Sequence, residues 1–402
     1  FHLSRPESFL GLFARGTPPR VELGEVDVAE AWALVGLSVL ARRSGSPPLE
    51  VGFDSSRPAS QFAYALGLQD VIEGRPSTTL GERGRTARLR RVRKIGEVES
   101  AAREIAELLV PSSEDDDSRA TTFYVLVELL RNAVQHSGDP NGGVVAAQLM
   151  REGYAAYPRP VVQVAVGDAG VGLPAALQVE YPEVTDPEAA VVKALEPHVS
   201  GAFRRGLTGS TYNAGMGLFM ISEMAKLTAG RFLLATRGAT LWLRGNLEDV
   251  SNHQMDLLPR LGFPGTLVAF ELPFGEPADH DGLVSVITQR ASERTPSRDT
   301  SVWVRFEAPP PGTDSFLVSA VIEDVERAHE LSRTSLQPLL FARKPIALDF
   351  RNMRVCTQSF LHALLFEAIR LSWATQTPIY VEQASPGVET GIRLVDNYAR
   401  GG

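Results

Sequence analysis

One cysteine, Cys356, stands among 402 residues. A disulfide framework within one chain is therefore excluded, and so is a cysteine-rich zinc site. No apolar run approaches the ~20 residues that a bilayer-spanning helix needs. The longest candidate, AWALVGLSVLA at 31–41, stops at Arg42 and Arg43 and is expected as a buried helix. The first residues, FHLSRPESF, contain no apolar h-region, so no signal peptide is expected. Basic charge is not in excess either. The net charge is −8, and no global field draws the chain to nucleic acid or to an anionic membrane. The pattern G-x-x-x-x-G-K-[ST] is missing, which removes the P-loop route to a nucleotide. No histidine lies between Leu3 and Gln135. The composition, 44% hydrophobic and 22% charged, is that of folded globular protein, and the length implies roughly two to four domains. With one thiol and no spanning segment, a cytoplasmic address is expected.

Three blocks can be read along the chain. Residues 1–82 give a strand at 20–24, a helix at 29–43, a strand at 49–53 and a helix at 58–68. The basic stretch RGRTARLRRVRK, 83–94, follows as a linker or a first strand, either a solvated face or a contact for an acidic partner. The middle block, 83–285, has helices at 97–109 and 119–137 and strands at 144–152 and 160–170. A long Pro- and Gly-containing stretch then precedes a helix at 217–229 and three further strands, the last at 265–273. Strands and helices are segregated, which favours an α+β layer of mixed or antiparallel sheet with helices on one face. The third block, 300–402, shows strand 345–350, helix 358–373, strand 378–383 and helix 387–399. It repeats the order of the first block when Asp349 is set on Glu22, so the expected fold class is α/β at both ends of an α+β middle.

The chemistry-bearing residues lie in the middle block. In VELLRNAVQHSGD, 127–139, the polar residues Glu128, Asn132 and His136 recur every fourth position and line one stripe of a mostly apolar helix. GDAGVG, 167–172, ends an apolar strand, NAGMGL, 213–218, opens an apolar helix, and PGTLVAFELP, 264–273, is a strand entered through Gly265 and Thr266. These types suit a nucleotide. Asp168 can accept from an exocyclic amine, and Gly170 and Gly172 let the backbone lie against a flat base. Gly215 and Gly217 begin a helix, where free N–H groups favour phosphate. The Asn132 amide is an oxygen ligand suited to Mg²⁺ bridging phosphates, and Glu128 could take a proton from an attacking hydroxyl or water.

In this order the motifs resemble those of the GHKL (Bergerat-fold) ATPases, which include histidine kinases, gyrase and the anti-sigma serine kinases. Glu128-x-x-x-Asn132 matches the N box, Asp168-x-Gly170-x-Gly172 the D-x-G-x-G box, Gly215-Met216-Gly217-Leu218 the lid and Gly265-Thr266 the late G-T. The resemblance implies ATP with Mg²⁺ as cofactors, Glu128 as catalytic base, Asn132 as the metal ligand, and Asp168 with Thr266 around adenine. It implies a phosphate lid at Gly215, Gly217 and Leu218, with His136 either near phosphate or a polar helix end. The family often has another glycine where Asn213 stands, and Arg204 and Arg205 lie in the long lid, solvated or near the γ-phosphate. A sensor histidine kinase would need an acceptor histidine before the N box, where this chain has none beyond His2.

The end blocks, 1–82 and 300–402, resemble STAS-like domains, the fold of anti-anti-sigma factors. In IALDFRNMRVCTQSFLHALL the loop-to-helix junction offers Thr357 and Ser359, either helix-capping hydroxyls or phosphoacceptors. The first block has Glu30 and Trp32 there and lacks an acceptor. The expected function is a regulator that transfers phosphate to a Ser/Thr of a STAS-like partner or of its own domain. The alternative is an ATP-gated interaction switch with slow hydrolysis. Expected partners are ATP and a sigma-factor-like or STAS-like protein, with homodimerisation open. Membrane contact and direct nucleic-acid binding are not expected.

Overall fold

A computed structural model describes residues 1–43, 47–75, 80–110, 116–151, 160–199, 215–246, 249, 252–273, 279–293 and 303–399. They form two compact units, one of Phe1–Leu195 with Ile221–Ala278, the other of Glu196–Met220 with Asp279–Gly402. The chain is mixed α and β, with several sheets. Among the described residues, no helix is long and apolar enough to cross a membrane.

The first unit opens with β1 (Arg20–Glu22) and β2 (Glu50–Gly52), a parallel pair. Its main sheet has eight strands: β3 (Gly81–Glu82), β4 (Thr86–Val92), β5 (Gly143–Met150), β6 (Val161–Asp168), β7 (Arg231–Thr236), β8 (Ala239–Arg244), β9 (Gln254–Pro259) and β10 (Thr266–Pro273). Their order is β3-β4-β5-β6-β10-β7-β8-β9, and every neighbouring pair is antiparallel. All eight residues of β6 are buried. That explains the near-continuous apolar run VVQVAV, which a strand covered on both faces requires.

The two covers come from different blocks. Helix α1 (Ala31–Ala41) packs on β5 and β6, and all eleven of its residues are buried, as befits a helix that is apolar all round. Leu68–Glu73 forms α2, Val98–Leu109 forms α3 and Asp116–Gln135 forms α4. Helix α4 packs on β6 and its neighbours from the other side. A Cβ on Gly167 would meet Val35 of α1 at 3.1 Å, while one on Gly143, in the opposite pleat phase, would meet Ala133 of α4 at 2.8 Å. Helices thus lie on both faces of the sheet, where the sequence suggested one. Residues 1–82, read from the sequence as a domain of their own, share a core with the sheet. Phe9 meets Trp32 edge-on at 5.0 Å, and Phe13 meets Phe263 at 6.0 Å.

A polar clasp sits inside this apolar layer. The Gln163 amide nitrogen donates to Glu30 at 2.9 Å and to Glu271 at 2.8 Å, and all three side chains are buried. Glu30 also accepts from the Leu3 amide at 2.8 Å, and Arg231 reaches Glu271 at 3.4 Å. Glu30 and Trp32, singled out above for the absence of an acceptor hydroxyl, are therefore buried within the first unit.

In the second unit, β11 (Val304–Arg305), β12 (Asp314–Leu317), β13 (Ile346–Asp349) and β14 (Ile379–Glu382) form a parallel sheet of order β11-β14-β13-β12. Helix α5 (Gly217–Leu227) begins in the segment grouped with this unit and ends in the first. Helix α6 (Gln358–Thr375) joins β13 to β14, and α7 (Pro386–Ala399) packs on α6. The sequence left 300–344 unread, and β11, β12 and several short helical segments lie there.

Replacing Gln163 by Leu leaves two buried carboxylates short of a donor. The expected cost to the first unit is roughly 3 kcal/mol, the upper end for unsatisfied buried groups. Urea denaturation followed by Trp32 and Trp242 fluorescence, with Trp303 and Trp373 replaced by Phe, measures it. An unmoved midpoint would show that the clasp contributes nothing.

Candidate functional site

Three threonine- or aspartate-bearing strand ends meet at one end of the eight-stranded sheet. Antiparallel register sets Thr266 of β10 directly opposite Asp168 of β6, and Thr236 of β7 opposite Thr266 on its other side. Directly paired residues share a face of the sheet. This is the face covered by α4, because Gly167, next to Asp168, faces α1.

The Asp168 carboxylate is buried. It accepts from the Gly170 amide at 2.9 Å and from the Thr266 backbone. Desolvation outweighs those two bonds, and nearby Asp139 adds repulsion, so the carboxyl is pushed up to about 7. An ionised carboxylate has about four acceptor positions, so Asp168 retains capacity for a further donor.

Two glycines permit the close approaches that build this corner. A Cβ on Gly170 would lie 2.0 Å from the Ser137 carbonyl oxygen, and one on Gly265 would lie 2.0 Å from the Asp168 carbonyl oxygen. The D-x-G-x-G loop therefore lies on the turn after α4, where the Val171 amide donates to the Ser137 carbonyl at 2.8 Å. Gly172 precedes the short helix Leu173–Gln178, whose first amide donates to Thr236 Oγ1 at 2.9 Å.

Along α4, Glu128 is buried and paired with Arg131 at 3.2 Å, also buried. The i,i+3 spacing on one helix brings the two together. Asn132, one turn on, is half-buried. His136 follows at the helix end, its amide donating to the Asn132 carbonyl at 3.1 Å. Desolvation, with Arg131 nearby, pushes the His136 imidazole down to about 4, so the ring is neutral at pH 7.

Glu128, Asn132, His136, Asp168, Gly170, Gly172 and Thr266 all belong to the first unit, whereas Gly215, Gly217 and Leu218 group with the second. Gly215 accepts from the Val199 amide at 3.2 Å. Arg204, Arg205 and Asn213 lie outside the described residues. In the second unit, Thr357 is the N-cap of α6. Its hydroxyl accepts from the Phe360 amide at 3.3 Å and donates to Glu323 at 2.6 Å. Thr357 and Ser359 are both buried.

Three polar residues that the sequence did not single out help to build the site. Asp139 accepts from the Ala169 and Asn141 amides, each at 2.8 Å, and so ties the turn after α4 to the D-x-G-x-G loop. Arg237 donates to the Gly170 carbonyl at 2.8 Å. Thr236 donates to the Gly265 carbonyl at 3.1 Å. The closeness of Asp139 in sequence to Asn132 and His136 is a usable signal; Thr236 ends an apolar strand and Arg237 follows it, with no spacing to mark them.

Compared with known family models and with curated proteins, the chain matches none.

The elevated Asp168 pKa has a stability consequence with a definite sign. Between the ordinary carboxyl value of 3.8 and about 7 the folded state holds a proton that the unfolded state has released. The contribution is thus fully present below about pH 4 and lost as pH rises through about 7, with a slope of at most roughly 1.4 kcal/mol per pH unit. Asp168→Asn should remove this slope from the first unit. Urea midpoints of wild type and variant from pH 4 to 8 read it directly, and parallel curves would place the titration elsewhere.

Proposed function

We propose that the chain is a Mg-ATP-binding regulator of the GHKL kind, with a Bergerat-type first unit and a STAS-like second unit, related in its mode of action to anti-sigma serine kinases. The observation that carries this reading is the convergence of Asp168, Thr266 and Thr236 on the sheet face covered by the helix of Glu128 and Asn132. A buried carboxyl with spare acceptor capacity beside a threonine suits the amine edge of adenine. Burial that disfavours the lone carboxylate strengthens a donor's bond to it.

The donor set fits magnesium that arrives with phosphate. Among the described residues, no cluster of three or more His, Cys, Asp or Glu side chains could hold a metal by itself. Mg²⁺ ordinarily keeps several waters and takes one or two protein ligands beside substrate phosphates, and the half-buried Asn132 amide would be one. When bound, Mg²⁺ would supply charge neutralisation to the phosphates. Asn132 would orient it, and Glu128 would orient or deprotonate the attacking group.

A second reading, the ATP-gated interaction switch, has specific support. The Glu128 carboxylate is engaged by Arg131 in a buried pair, and the Thr357 and Ser359 hydroxyls are buried. A carboxylate engaged by a guanidinium is not free to meet an attacking group, and a buried hydroxyl is closed to a kinase. In this reading, nucleotide binding itself is the signal and hydrolysis resets it slowly.

Labelled ATP separates the two readings. Stable label on Ser or Thr of the chain or of a STAS-like partner supports phosphoryl transfer, and free phosphate alone supports the switch. In either case Asp168→Asn should weaken ATP binding by about 1.5–3 kcal/mol, the worth of a hydrogen bond to a charged group. Asn132→Ala should abolish the magnesium dependence of binding while circular dichroism stays unchanged. Calorimetric titration of ATP with and without Mg²⁺ checks both; wild-type affinity in Asp168→Asn would mean adenine lies elsewhere.

A further inference from the structure

The basic stretch 83–94 contains all of β4 and turns the edge of the sheet into an arginine-lined cleft. A cavity of about 540 Å³ opens there between α2 and α3, within the range of small-molecule sites. Arg42, Arg75, Arg88, Arg90, Arg91 and Arg93 line it. Its apolar floor includes Val71, Leu89, Ile105 and Leu108. The register of β4 against β5 shifts between Ala87 and Arg90. A bulge of this kind re-aims side chains. Arg88 reaches Asp70 of α2 at 2.9 Å, while Arg90 reaches Glu104 of α3 at 2.6 Å.

Local carboxylates do not balance this charge. Asp70 pairs with Arg75 as well as Arg88, Glu73 pairs with Arg75, and Glu97 accepts from the backbone amides of Arg93 and Lys94. Six guanidinium groups thus face five carboxylates, Asp139 near Arg91 included, in a chain whose net charge is −8. Arg42, Arg91 and Arg93 form no ion pair among the described residues. Arg42 donates to the Ile72 carbonyl at 3.2 Å and Arg91 to the Asn141 carbonyl at 3.4 Å. The other terminal nitrogen of Arg91 is hidden from solvent with no hydrogen-bond partner. Burial, with Arg42 and Arg93 nearby, pushes the Arg91 guanidinium down to about 10. A cluster of unneutralised guanidinium groups is offset most directly by a bound anion, and planar guanidinium forks match phosphate oxygens.

We propose that this cleft binds a small organic anion carrying at least two phosphate groups, its phosphates on Arg42, Arg91 and Arg93 and its apolar or planar body on the floor of Leu89 and Ile105. The site is separate from the Asp168 corner, and its filling does not require ATP there. Calorimetric titration of the full chain with two probes, pyrophosphate and adenosine 3′,5′-bisphosphate, tests it. Both are expected to bind, the bisphosphate more tightly because it alone covers the floor. Arg91→Gln and the exposed Arg93→Gln should each weaken binding on the order of tenfold, the worth of one charge-assisted contact. Arg333→Gln, an exposed arginine of the second unit, should leave affinity unchanged, and Asp168→Asn should not weaken binding in the cleft. No heat with either probe overturns the proposal, as does equal weakening by Arg333→Gln. Loss in Asp168→Asn without loss in the cleft variants overturns it too, since the probe would then occupy the other corner. Selective binding of an acidic peptide or an oligonucleotide in place of both probes likewise refutes the small-anion assignment.

Discussion

Strand Val161–Asp168 is buried on both faces, and much of the first unit follows from that constraint. A strand with no solvated side must be covered twice. Helix Asp116–Gln135 supplies one cover and helix Ala31–Ala41 the other. The second cover comes from over a hundred residues upstream, so the first block is bound into the sheet rather than folded beside it. The same burial places Gln163 where water cannot reach it, and its amide must then find protein partners. It finds two carboxylates, Glu30 from the covering block and Glu271 from the neighbouring strand. The clasp thereby specifies which helix covers which strand, at a point where apolar contacts alone would tolerate sliding.

At the far end of that strand the same desolvation becomes chemistry. Buried ionisable groups must be paired, neutralised or hydrogen-bonded, and this unit uses all three solutions within one neighbourhood. Glu128 is paired with Arg131. His136 is neutral. Asp168 has two backbone donors and no close cation strong enough to hold its proton off, so its pKa comes to about 7. A carboxyl divided between its two forms near neutral pH responds strongly to a new donor. Perturbed groups of this type gather at functional sites, although structural networks perturb them too. What favours a site here is that Asp168 ends a central strand, beside two loops held in contact through Gly170 and Asp139.

The sequence shows these features unevenly, for reasons of range. The run VVQVAV and the fully apolar helix at 31–41 are legible because burial leaves a local trace in composition. The partner of that helix is not legible, since nothing in AWALVGLSVLA says which surface will cover it. The motif residues Glu128, Asn132, Asp168 and Thr266 stand out by spacing, but the register that sets Thr266 opposite Asp168 is a long-range fact. Thr236 and Arg237 escape notice because each acts through bonds to backbone groups, which impose no spacing. The stretch 83–94 misleads in another way. Its arginines read as a solvated face, yet a register shift sends neighbouring ones to different helices around a shared cleft.

The arginine cleft and the Asp168 corner are joined by one short turn. Arg91 donates to the carbonyl of Asn141, and the Asn141 amide donates to Asp139. Asp139 accepts in turn from the amide of Ala169, beside Asp168. Its charge is felt at both ends, since it raises the pKa of Asp168 and opposes the lowering of Arg91. A contiguous chain of contacts transmits nothing by itself; it carries coupling only where a member has two states that both ends bias. Asp168 is such a member, because burial pushes its carboxyl up to about 7 and brings its change of charge near neutral pH. An anion at Arg91 would weaken that guanidinium's hold on the turn and add negative potential near Asp139. Both changes favour the protonated form of Asp168. Electrostatics alone therefore gives the link a sign: occupancy of the cleft opposes a ligand that needs the Asp168 carboxylate.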